Sequence, residues 1–248
     1  SLNIFVVLGL MFVYKKNLDM NESMVLSAGG VLLSALVSLQ AFTWISGESF
    51  FDFLWDNLKS ILESNAANMQ GLMRLYQAWG IIDEGHSVER FVQIIIGQMK
   101  ELVPLFPSML IINSLLLGGL SFLISRLVLK KMRVPTPHVP PFRGWALPRG
   151  TGRGFLGIMV VAIIGTWINM PNFEIVLYTV SSVFSFVFTV QGLSVVNFFL
   201  VQKRIPGVVV VLIMAAAFIF LSVALTFLGI FEQIFGVRRA YSSSRKGD

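Results

Sequence analysis

The chain has 248 residues, 55% of them hydrophobic and only 13% charged, with a formal net charge of +6 and a mean hydropathy of +0.78. A soluble domain carries roughly 25% charged residues, so this composition excludes an ordinary soluble enzyme, a disordered chain and a fibrous protein. It points to an all-α polytopic membrane protein: a transmembrane helix bundle with an amphipathic helical insert.

The chain opens at Ser1 with an apolar run, Leu2 to Tyr14, that stops at Lys15-Lys16. No basic stretch precedes it, so it does not read as a signal peptide. At 1.5 Å per residue it covers only about 20 Å, so it reads as the end of a membrane helix, and the chain is expected to continue upstream. A second span is expected from about Met24 to Ile45. Ser23, Ser27, Gly30, Ser34 and Ser38 recur on one of its faces, at the spacing that lets helix backbones approach closely in lipid. That face is expected first to pack against the chain's own helices, with a docking surface for a partner subunit as the alternative.

From 46 to 102 the pattern turns amphipathic. Phe51, Leu54, Trp55, Leu58, Ile61 and Leu62 form one stripe. Met69, Leu72, Met73 and Tyr76 form a second, and Val88, Phe91, Val92, Ile95, Met99 and Leu102 a third, N-capped by Ser87. Eight acids stand against four bases here. These helices are expected to form an extracytoplasmic insert rather than spans.

A third span is expected from about Val103 to Leu129, with Pro104 and Pro107 where a first turn tolerates proline. Arg126 to Arg153 holds seven bases (Arg126, Lys130, Lys131, Arg133, Arg143, Arg149, Arg153), no acid and five prolines, so it reads as an extended, exposed loop. Further spans are expected over Phe155 to Met170, Phe173 to Val201 and Gly207 to Phe235, followed by a polar, basic tail from 237. Glu174 and Glu232 lie near span ends and are expected to face water. Short Lys/Arg-rich loops lie in the cytoplasm, and Lys15-Lys16, the seven-base loop and Lys203-Arg204 fall together on that side. With six spans the tail, with Arg238 and Arg239, falls on the other side, and a re-entrant last segment is one way to reconcile it.

Lys130, Lys131, Arg133, Arg143, Arg149 and Arg153 are thus expected at lipid headgroups. Nucleic acid is not an expected partner, because the loop lacks a folded platform with aromatics between the bases. No P-loop, catalytic pair or carboxylate cluster is visible, so no catalytic residue, metal or cofactor is assigned. The absence of cysteine excludes thiolate chemistry, and two distant histidines, His86 and His138, do not make a metal centre. The polar residues inside the spans face other helices or a cavity. Gln191, Ser194 and Asn197 keep roughly to one face, and with Asn113 and Trp167 they are the candidate lining of a small-molecule pocket.

Pro140-Pro141-Phe142-Arg143-Gly144-Trp145-Ala146-Leu147-Pro148, then Gln191-Gly192-Leu193-Ser194-Val195-Val196-Asn197-Phe198-Phe199-Leu200, then Lys203-Arg204 and a last span ending in Phe235 and Arg238-Arg239 resemble the YybS-like family of bacterial membrane proteins. The family pattern carries histidine at the position of Asn197. The resemblance implies a helical architecture similar to the substrate-binding membrane components of energy-coupling-factor transporters and to MreD-type cell-shape proteins. It implies the bacterial inner membrane, membrane-protein partners, and either a small-molecule-binding transport component or a membrane scaffold.

Overall fold

The computed structural model describes residues 4–16, 18–82, 87–148 and 150–244. The described residues are helical and contain no strand. Helix α1 is Ile4–Lys16, α2 Met20–Ser46, α3 Phe50–Ser64, α4 Ala66–Ala78 and α5 Val88–Lys100. A 3-10 turn at Val103–Leu105 leads into α6, Phe106–Lys131. A second such turn, Phe142–Gly144, lies in the basic loop. Then come α7 (Thr151–Trp167), α8 (Phe173–Gln202), α9 (Gly207–Phe220), α10 (Ser222–Phe235) and α11 (Val237–Ser244).

In lipid a helix is the one open element that satisfies its own backbone, and the apolar runs form helices for that reason. Three stretches are long and apolar enough to cross a membrane: α2, α8, and Val88–Lys131, which contains α6. Helix α7 has 17 residues, about 25 Å. The expected last span differs: α9 and α10 meet at Leu221 with a bend of 104°.

The chain divides into two compact units. One is Leu33–Phe106, holding the end of α2, the insert and the first residue of α6. Phe91 and Val92 of α5 are its buried centre, and Tyr76 of α4 meets Phe91 edge-on at 5.6 Å. At the start of α3, Ser49 Oγ accepts from Asp52 N at 3.1 Å and donates to Asp52 Oδ2 at 2.7 Å. Ser87 caps α5 as expected, accepting from Arg90 N at 3.3 Å. These two caps satisfy amides that helix starts leave unpaired.

The other unit is Asn3–Leu32 with Pro107–Asp248. Val13, Met20 and Phe122 form a buried cluster, with Leu10, Tyr14, Val139 and Trp145 packed against it. Tyr14 Oη and Ser125 Oγ hydrogen-bond at 2.7 Å. A Cβ on Gly118 would fall on the Ala28 backbone, and one on Gly30 would lie 2.7 Å from the Phe5 carbonyl oxygen. So α1, α2 and α6 cross at backbone-to-backbone distance. Helix α7 runs back along α8, with Phe155 near Phe184 at 5.6 Å. The turn between them is closed by Asn169 and Asn172, both left-handed, a conformation asparagine tolerates better than most residues.

The basic loop is extended, as its prolines require, but it is docked. Arg126 Nε donates to the Pro137 carbonyl at 2.9 Å, and Trp145 Nε1 donates to the Pro140 carbonyl at 3.1 Å. The exposed loop expected from the sequence is therefore corrected in part: Pro137 is buried and Trp145 half-buried.

Candidate functional site

The C-terminal half of α8 meets three elements at once. Ser194 is fully buried and donates toward the carbonyls of Phe142 and Trp145, each at 2.8 Å. Arg238 of α11 reaches the same point. Its Nη1 donates to the Arg143 carbonyl at 2.9 Å and to Ser194 Oγ at 3.1 Å, and its Nη2 to the Trp145 carbonyl at 3.0 Å. Its Nε donates to Glu232 Oε1 at 2.9 Å, and its backbone N to Glu232 Oε2 at 3.0 Å. Both side chains are about nine-tenths buried. The pair is held where a lone charge would be very costly, and only full hydrogen bonding offsets its desolvation. Gly236, at φ +62°, makes the reversal that brings Arg238 back over Glu232.

This arrangement corrects one expectation and bears on a second point. Glu232, expected to face water near the end of its span, is buried and paired. The tail, whose side the sequence leaves open, packs against the loop and the same end of α8, where a re-entrant last segment would bring it. Tyr241 sits 5.2 Å from Phe199, edge-on. The bend at Leu221 is what returns the chain to this end. Reporters fused after Lys131 and after Ser244 are therefore expected to score on the same side, cytoplasmic by the positive-inside rule. Opposite scores would refute the return.

Of the expected pocket residues, Gln191, Ser194 and Asn197 share α8, while Asn113 lies on α6 and Trp167 ends α7. Gln191 is buried, its Nε2 donating to Gln233 Oε1 at 3.4 Å, while its Oε1 has no partner. Asn197 is half-buried on the same helix and Asn113 is exposed on α6. Trp167 is 82% exposed at the far end of α7. Gln191 and Ser194 thus face α10 and the loop, in interhelical hydrogen bonds. On the expected packing face of α2, Ser23, Ser27 and Ser34 are buried and Ser38 is half-buried. Gly30 lies against α1, and Gly118 of α6 lies against Ser27 and Ala28. At Ser27 and Gly30 the face therefore receives α1 and α6. Of the headgroup residues, Lys131, Arg133, Arg143 and Lys130 lie at the loop side of α6 and α8, and Arg153 opens α7; Arg149, like His86, is outside the described residues.

A site not anticipated from the sequence lies at the helix break. Thr189 and Thr226 share a hydrogen bond at 2.8 Å. Thr226 Oγ1 also lies 3.0 Å from the Ser222 carbonyl and 3.4 Å from that of Ser185. These residues, with Phe186, Phe218, Val223 and Phe227, line a groove of about 400 Å³. The break itself adds donors and acceptors, because α9 ends and α10 begins there, and helix ends leave backbone groups without intrahelical partners. The signal in the sequence was the run of hydroxyls at 185, 189, 222 and 226, masked by the apolar residues around it.

Helices α1 to α9, most of α10, the docked loop and Glu232 of the buried ion pair fall within a stretch matched by one family model, which covers residues 3–232 and describes a predicted membrane protein (DUF2232). The chain belongs to this family. Arg238 and the rest of α11 lie just beyond the matched residues. No curated protein and no solved structure matches the chain.

Proposed function

We propose that this chain is the small-molecule-binding component of a transport system in the bacterial inner membrane, working with partner subunits that supply energy. The observation that carries the proposal is the break at Leu221 beside the hydroxyl-lined groove. Lipid offers nothing to an interrupted backbone, so breaks at membrane depth belong where they line a cavity, and transporter sites are typically built from such discontinuous helices. The resemblance to YybS-like proteins, and through them to the binding components of energy-coupling-factor transporters, supports the same reading.

Native mass spectrometry of the full-length protein, extracted gently from its own membrane, is the test. A reproducible small-molecule adduct is expected. Thr189→Val with Thr226→Val should reduce its occupancy by about tenfold, the equivalent of roughly 1.4 kcal/mol. Gln191→Leu with Asn197→Leu should spare it. Loss in the second pair alone would move the site to the Gln191 face. A stoichiometric protein partner with no adduct would favour a membrane scaffold instead.

A further inference from the structure

The groove at the break has two properties that bear on what it takes. First, its polar atoms are all neutral: hydroxyls of Ser185, Thr189, Ser222 and Thr226, and the carbonyls of Ser185 and Ser222. The nearest ionisable side chain on α10 is Glu232, about 9 Å further along the helix axis, and it is committed to Arg238. A charged ligand would find no counter-charge here, and an unpaired charge in an apolar setting is far too costly.

Second, the groove opens sideways. Phe218, Val223 and Phe227 at its edge are exposed, as is most of the apolar surface of α9. In a membrane that surface faces acyl chains. The mouth of the groove is therefore in the lipid phase, while the loop, the ion pair and α11 close off the basic end of α8.

Resting on the binding role proposed above, we infer that the groove takes an uncharged, lipid-soluble molecule with a hydroxyl or similar hydrogen-bonding group on an aromatic or apolar body, and that this molecule enters from within the bilayer. The Thr189 and Thr226 hydroxyls orient its polar group, and each both donates and accepts. The phenyl walls hold its body. A volume of about 400 Å³ lies within the range of small-molecule sites, roughly 300–1,000 Å³.

The test uses the full-length protein in lipid nanodiscs and two photoactivatable probes: an aryl diazirine bearing a neutral benzyl alcohol, and its trimethylammonium counterpart. The neutral probe should label peptides carrying 185–189 and 218–227 about fivefold above the other lipid-facing helices, a preference of roughly 1 kcal/mol. The charged probe should show no such preference. Thr189→Val with Thr226→Val should abolish the excess. Val223→Trp, which fills the mouth without removing a hydrogen bond, should do the same and guards against a misfolded threonine variant. Even labelling of all helices, or equal labelling by the charged probe, would overturn the inference. If the native adduct still depends on the two threonines in that case, the binding role stands and only the lipid-phase route falls. If the adduct is absent as well, both fall.

Discussion

Arg238→Ala is expected to cost about 3–5 kcal/mol of stability, the usual penalty for stranding one member of a buried ion pair. The loss has three parts. Glu232 keeps a buried carboxylate with no counter-charge. The carbonyls of Arg143 and Trp145 lose a charged donor, and Ser194 loses one of its partners. Denaturant unfolding in mixed micelles measures it. Arg238→Lys should recover part of the loss, because an ammonium restores charge but cannot reach four acceptors with the geometry of a guanidinium. Adding Glu232→Gln to the Arg238→Ala protein should also return part of it, since a neutral amide needs no counter-charge. The recovery stays incomplete because the loop carbonyls remain without the arginine. An Arg238→Ala protein of unchanged stability would show that the clamp does not hold the tail.

The second large effect belongs to the glycines where α8 meets α10. A Cβ at Gly192 would fall on the Leu225 carbonyl oxygen, and a Cβ at Gly229 on that of Phe188. Both obstacles are backbone, which cannot step aside as a side chain can. Gly192→Ala and Gly229→Ala should each cost about 3 kcal/mol, the upper end of ordinary overpacking. Gly157→Ala on α7 is the control, because nothing lies within 4 Å of the added methyl. There the better helix propensity of alanine should leave stability unchanged or up to about 1 kcal/mol higher. Thermal unfolding of the three proteins side by side separates the cases. If Gly229→Ala behaves like Gly157→Ala, the two backbones do not touch.

What was legible in the sequence was what depends on composition and period. The helices α2 to α8 fall close to their expected places because lipid permits little else and because the insert carries capped, amphipathic repeats. What was not legible depends on contacts distant in sequence. Nothing local marks Leu221 as a break: Phe220-Leu221-Ser222 sits in a largely apolar run with no proline or glycine beside it. Glu232 and Arg238 each look like an end-of-helix charge, and only the reversal at Gly236 makes them a pair. The serine and glycine face of α2 was recognisable as a close-packing surface, yet the spacing that favours approach does not say which helix approaches. The same holds for Ser194, whose partners come from a loop 49 and 52 residues away.

The long reach of the Arg238 clamp also sets an order of events during synthesis. Arg238 follows Arg143 by 95 residues. At roughly 5–20 residues per second of translation, the loop waits about 5–20 s, and Ser194, 44 residues before Arg238, about 2–9 s, for the side chain that closes them. Once Ser194 has been made, it and the loop carbonyls have each other but no cation until Arg238 follows. The helix break is thus synthesised before the clamp, which can close only once Arg238 has emerged. Without Arg238 the finished protein keeps the arrangement that the growing chain has before the clamp can close.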